Sequence, residues 1–237
     1  MDISSKIAVV TGASSGLGAA ISKVLVGERA SVYGIARNSV ALEDIQKELG
    51  ENFIPIVLDI SNLQAVKDWV GSTFSKQKSP DILINNAGVG SFGKIDEMSS
   101  EEWYGMVNTN LNGLYNMSSE IVRFMKMKST YSHIINIGSI LGTTTRADAA
   151  AYCATKYGIR GFSEALLKEL REFNIKVSCV NPGSIDTGFF KSSGINSHRN
   201  MLQPNDLAAT LLHILKTPDN MLISEITIRP LNPKAPD

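Results

Sequence analysis

Only two cysteines and three histidines occur in 237 residues. Cys153 and Cys179 lie far apart in the chain without metal-ligand spacing, so a disulfide framework and a zinc site are not expected, and both thiols read as small buried apolar groups. An excess of charge is also missing. With 23 basic and 23 acidic side chains, no global field draws the chain to nucleic acid or to an anionic membrane. No apolar run approaches the roughly 20 residues of a membrane span. The start, Met1-Asp2-Ile3-Ser4-Ser5-Lys6, runs directly into a strand pattern without the basic and apolar order of a signal peptide. These absences describe a soluble, cytoplasmic protein with neither nucleic-acid nor membrane partners. Repeats, low-complexity tracts and Pro/Gly-rich linkers are lacking too, so one domain over 1–237 is expected.

Alternation is what the chain does have. Short apolar runs at 7–10, 31–36, 53–59, 82–85, 134–137, 177–181 and 222–228 are separated by helical patterns. These patterns cover 16–27, 40–49, 63–75, 101–128 with a break near Asn112-Gly113, 149–173 and 205–216. Most of the runs are continuously apolar, as strands covered on both faces should be. Strand and helix repeated this often predict an α/β fold, a parallel sheet sandwiched by helices.

The first strand-to-helix turn reads Thr11-Gly12-Ala13-Ser14-Ser15-Gly16-Leu17-Gly18. Glycines there let the backbone turn sharply and approach a pyrophosphate, which the helix N-terminus stabilises through unpaired N–H groups. Neither the usual Gly-x-Gly-x-x-Gly fingerprint nor a P-loop ending is present, so a dinucleotide site would be of a variant type. At the end of the second strand stand Ala36-Arg37-Asn38. The carboxylate that an NAD site places on the ribose 2′-hydroxyl is missing, and Arg37 could pair with a 2′-phosphate, although Arg37 alone is also what a surface strand end looks like. Asp59-Ile60 after the third strand and Asn85-Asn86-Ala87-Gly88 after the fourth fall at the sheet edge that offers ligand sites. Each also fits ordinary cap and turn chemistry.

Ser139 leaves the fifth strand at the same edge. With no histidine or acid set to activate it and no Gly-x-Ser-x-Gly elbow, a hydrolase triad is not supported, whereas a hydroxyl that polarises a carbonyl needs no base. Further on, Tyr152 and Lys156 are four apart in a helical pattern and so share a face. A lysine charge beside a phenol favours phenolate, making Tyr152 a candidate general acid or base. A half-buried aromatic followed by a solvated lysine has the same spacing.

Taken together, these residues resemble the short-chain dehydrogenase/reductase family, of its NADP-preferring type. Thr11 to Gly18 is similar to its Thr-Gly-x-x-x-Gly-x-Gly motif, Asn85 to Gly88 to its Asn-Asn-Ala-Gly, and Ser139, Tyr152 and Lys156 to its catalytic trio. Asn110 stands at the fourth catalytic position, and Asn181-Pro182-Gly183 with Thr187 at the nicotinamide-side motif. The resemblance implies a Rossmann-type sheet of about seven strands in order 3-2-1-4-5-6-7, NADP(H) as cofactor, and a homodimer or homotetramer built partly on the helix carrying Tyr152. It further implies hydride transfer between the nicotinamide and a carbonyl, with Tyr152 giving the proton, Ser139 holding the oxygen, Lys156 lowering the Tyr152 pKa and bonding the ribose, and the Asn110 region holding a water. Ser14, Ser15, Gly16, Leu17, Asn38, Asp59, Ile60, Ala87, Pro182, Gly183, Ile185 and Thr187 are the further cofactor contacts it implies.

The resemblance implies that residues 188–203, with Phe189 and Phe190, form a substrate lid. Arg146, between Ser139 and Tyr152, reads first as a solvated loop residue and second as a contact for an acidic substrate. The ending Glu225-Ile226-Thr227-Ile228-Arg229-Pro230 is similar to members acting on 3-hydroxy acids and small carbonyls. The expected activity is reduction of a small ketone or 3-oxo acid, or the reverse oxidation. A 3-oxoacyl-thioester reductase and a non-catalytic NADPH-binding regulator are the alternatives.

Overall fold

A computed structural model describes residues 1–189 and 198–235. Seven strands, β1 (Ile7–Thr11), β2 (Ser31–Ala36), β3 (Phe53–Val57), β4 (Ile82–Asn85), β5 (Ser132–Ile137), β6 (Ile175–Pro182) and β7 (Glu225–Ile228), form one parallel sheet. Their order is β3-β2-β1-β4-β5-β6-β7, the expected Rossmann-type arrangement. Around it run α1 (Gly16–Gly27), α2 (Ser39–Leu49), α3 (Leu63–Thr73), α4 (Ser100–Val107), α5 (Gly113–Met125), α6 (Ala150–Leu170) and α7 (Pro204–Leu215).

Period-2 alternation assigns the strand side chains to two apolar layers. Ala8 and Val10 of β1 enter the layer that holds Ile21 and Leu25 of α1 and Leu211 and Ile214 of α7. Val9 enters the opposite layer, with Val66 and Val70 of α3 and Met117 and Ile121 of α5. Fully burying such a side chain contributes about 1.5–3 kcal/mol, so a few of them on one stripe hold each helix to the sheet. Asn38 and Asn62 begin α2 and α3 by accepting from Ala41 N and Ala65 N, each at 3.1 Å. Ser99 and Glu102 form a reciprocal capping box at α4.

Two elements differ from expectation. The break anticipated near Asn112-Gly113 is instead a π-helical turn, Asn108–Asn112, through which the backbone stays right-handed from α4 into α5. Gly113 is there for packing: a Cβ on it would lie 2.7 Å from the Ile60 side chain. The last strand begins at Glu225 rather than 222. Upstream, the Met221 and Ile223 carbonyls accept from the side chains of Lys176 (2.7 Å) and Ser178 (2.6 Å) on β6. The chain order reverses between β1 and β4, which opens a crevice at the carboxyl ends of the strands.

Candidate active site

The β1–α1 turn is shaped by two close approaches. Gly12 has φ +68°, and a Cβ on it would come within 2.9 Å of Ala87 Cα, while a Cβ on Gly18 would lie 2.1 Å from Gly12 O. Asn86 ties β4 to this turn, its amide donating to Thr11 O at 3.0 Å. Thr11 Oγ1 accepts from the Asn86 and Ala87 amides, both at 3.0 Å. Ser15 sits at the N-cap of α1 yet makes no side-chain cap bond. The first-turn N–H groups of α1 thus lack the side-chain cap that α2, α3 and α4 possess.

At the ends of β2 and β3, Arg37 is exposed and Asn38 spends its side-chain oxygen on capping α2. Asp59 Oδ1 accepts from Ser61 N (2.9 Å) and Ser61 Oγ (2.7 Å). Burial alone would raise the Asp59 pKa, but those two hydrogen bonds and the nearby Arg37 charge hold it below the ordinary carboxylate value. The N-cap of α3 is Asn62, so Asp59 shapes the turn ahead of the helix instead of capping it.

Ser139 caps a short 3-10 turn (Ile140–Gly142), accepting from Leu141 N at 3.1 Å. Tyr152 and Lys156 are buried on α6 and share a face, the lysine Nζ lying 5.6 Å from the phenol centroid. Lys156 Nζ donates to Ile137 O at 3.1 Å, and its removal from water pushes its pKa down to about 8. Burial drives the Tyr152 pKa upward, opposed by a hydrogen bond with Ser139. Here the ammonium donates to a backbone carbonyl, and burial dominates the titration of the phenol.

Asn110 lies in the π-helical turn, 1% exposed, with every side-chain atom engaged. Its oxygen accepts from Val89 N (2.8 Å), and its amide donates to Val89 O (2.9 Å) and Thr155 Oγ1 (3.1 Å). Thr155 in turn donates to Tyr152 O at 2.9 Å. The Asn110 side chain therefore fixes the loop after β4 to α6.

Gly12, Ser14, Ser15, Gly16, Leu17, Arg37, Asn38, Asp59, Ile60, Asn86, Ala87, Gly88, Ser139, Tyr152, Lys156, Pro182, Gly183, Ile185 and Thr187 all line one cavity of about 960 Å³. Gly18 and Asn110 stand behind its wall. Sequence reasoning missed Phe92, whose ring lies 5.2 Å from that of Tyr152, and Gly90, where a Cβ would meet Phe189 at 2.8 Å. No periodicity or motif marks that loop. Phe189 packs on Tyr152 at 6.0 Å between centroids; Phe190 and the rest of 190–197 of the anticipated lid lie outside the described residues. No helix among the described residues is long and apolar enough to cross a membrane.

Residues 6–197 match the family model of the short chain dehydrogenases, and the chain belongs to that family. It is an oxidoreductase acting on CH-OH or C=O groups. It is 34% identical over 214 residues to the 3-oxoacyl-[acyl-carrier-protein] reductase of Vibrio harveyi, covering 90% of this chain and 84% of that protein. Two solved structures are similar. The closed form of serine dehydrogenase complexed with NADP+ has a TM-score of 0.86 at 28% identity, with 93% of each chain covered. The 3-ketoacyl-(acyl-carrier-protein) reductase from Brucella melitensis complexed with NADH has a TM-score of 0.86 at 27% identity, covering 97% of this chain and 98% of that one.

Proposed function

We propose that the chain reduces a carbonyl to an alcohol with NADPH, or catalyses the reverse, with Tyr152 as proton donor or acceptor. The observation that carries this reading is the convergence of Ser139, Tyr152 and Lys156 in the same cavity as the open N-terminus of α1. The fit to a dinucleotide is physical. Uncapped N–H groups suit a pyrophosphate, and the glycine turn leaves no room for a Cβ at Gly12 or Gly18. Arg37 would take the 2′-phosphate, and Asp59, the one carboxylate lining the cavity among the described residues, is already held by Ser61 and faces the Arg37 charge. The two solved relatives hold different cofactors, so NADPH is argued from these residues.

When bound, the cofactor supplies a hydride to the carbonyl carbon. The chain supplies the rest. Ser139 orients the carbonyl oxygen by hydrogen bonding, and Tyr152, whose elevated pKa keeps its proton at neutral pH, donates that proton as the oxygen becomes an alkoxide. Lys156, still protonated below about pH 8, offers a buried cation for the ribose. Asn110 and Thr155 position Tyr152 from behind. Phe92 and Phe189 exclude water from the phenol.

Reading 1–237 as one domain is supported by α1 and α7 sharing a core layer. A homodimer or homotetramer is supported by exposed aromatics on three neighbouring helices, Tyr104, Tyr115 and Tyr157. Small ketones and 3-oxo or 3-hydroxy acids are the substrates we favour. The 3-oxoacyl-thioester reaction is the second reading, favoured by the names of the Vibrio and Brucella relatives. The test is NADPH oxidation by the full chain against ketones, 3-oxo acids, 3-oxoacyl thioesters and diketones. Tyr152→Phe should lower kcat about 10²–10⁴-fold; equal activity removes Tyr152 from the mechanism.

A further inference from the structure

The reaction end of the cavity carries a charge imbalance that bears on the substrate. Among the described residues three cations line the cavity, Arg37, Arg146 and Lys156, against one carboxylate, Asp59. Asp59 is paired locally beside Arg37, so among the described residues the end near Tyr152 has two cations and no lining acid. Among the described residues Arg146 forms no ion pair, and residues 190–197 contain no acidic side chain.

Arg146 is exposed, yet its side chain has a partner beside the site. Its guanidinium carbon lies 4.9 Å from the Phe92 ring centroid, and that ring is the one packed on Tyr152. The two separations, 4.9 and 5.2 Å, put the guanidinium no more than about 10 Å from the phenol ring. The loop itself is tied down, since Gly93 N donates to Asp148 O at 2.8 Å. A guanidinium stacked by one face on an aromatic keeps its N–H edge available for a carboxylate, and a held side chain loses less entropy on binding.

We propose that Arg146 binds a carboxylate of the substrate, which makes the preferred substrates short oxo acids, or the matching hydroxy acids in reverse. This rests on the carbonyl-reduction reading above. The distance to Tyr152 suits a carboxylate separated from the reacting carbonyl by a short spacer, whereas a coenzyme thioester presents its anions much farther along the chain.

The experiment compares acetoacetate, its methyl ester and acetoacetyl-coenzyme A as NADPH-dependent substrates of wild type, Arg146→Ala and Arg146→Lys. A charge-assisted bidentate pair supports a loss of about 10- to 100-fold. The ratio of kcat/KM for acid over ester should fall by that factor in Arg146→Ala, chiefly through KM, and recover in part in Arg146→Lys. An unchanged ratio overturns the proposal, as does a loss confined to acetoacetyl-coenzyme A. Reduction of the ester but not of acetoacetate by wild type, with Tyr152→Phe inactive, overturns the carboxylate alone. Absence of turnover with all three substrates overturns it together with the reading beneath it.

Discussion

Lys156 should be a residue that the reaction needs and the fold tolerates at a cost, and replacing it with methionine measures that cost. The ammonium is buried, its pKa is lowered to about 8 from 10.5 by desolvation, and among the described residues it donates one hydrogen bond, to Ile137 O. Keeping the proton at pH 7 in such a site costs about 3 kcal/mol relative to the unfolded chain. Lys156→Met removes this penalty and loses a hydrogen bond, leaving the Ile137 carbonyl without that donor, a loss of about 1–3 kcal/mol. At pH 7 the cofactor-free variant should therefore equal wild type or exceed it by up to about 2 kcal/mol, while having no reductase activity.

The pH dependence is the sharper readout. Between pH 8 and 10.5 the unfolded lysine holds a proton that the folded one has released, so wild-type stability rises with pH there. By pH 9.5 the penalty has shrunk to about 1.4 kcal/mol, and the variant should lose about 2 kcal/mol of its standing against wild type. Urea unfolding of both proteins without cofactor at pH 7 and 9.5 measures the two differences. A difference that does not change with pH, or a variant more than about 2 kcal/mol less stable at pH 7, refutes the reasoning.

Two further predictions concern the cofactor. Arg37→Ala should lower the NADPH/NADH ratio of kcat/KM at least about tenfold, as loss of a charge-assisted contact to phosphate requires; an unchanged ratio removes Arg37 from 2′-phosphate recognition. Gly18→Ala forces a Cβ to within 2.1 Å of Gly12 O, a backbone atom, and should cost about 1–3 kcal/mol in unfolding experiments and weaken NADPH binding. Gly27→Ala, on the same helix but with nothing within 4 Å of the added carbon, is the control and should leave both nearly unchanged.

Continuous apolar runs such as Ile7 to Val10 and Ile82 to Ile84 disclosed the parallel sheet, because strands covered on both faces need no polar alternation. The site was legible wherever a backbone constraint selects the residue type, as at Gly12 and Gly18, or wherever spacing alone sets a shared helix face, as at Tyr152 and Lys156. Residues that act by filling space left no such trace. Phe92 and Gly90 belong to a loop whose sequence has no period, and only the folded chain puts Phe92 between Tyr152 and Arg146. Gly113 illustrates the opposite error. Its residue type signals a break, but packing against Ile60 required the missing side chain while the helix continued.

The same limit applies to the Tyr152–Lys156 pair. Helical spacing guarantees that the two side chains overlap, and it is silent on where the ammonium points. Here it points at Ile137 O, the last carbonyl of β5, next to the residues that lead into Ser139. One lysine thus touches the strand that delivers the serine and rides on the helix that delivers the tyrosine. Its buried charge fixes the relation between the two elements as well as the local field. A neutral isostere such as methionine should then disturb geometry less than charge, so activity lost in Lys156→Met with the fold intact would assign the lysine's role to its proton and hydrogen bonds rather than to its bulk.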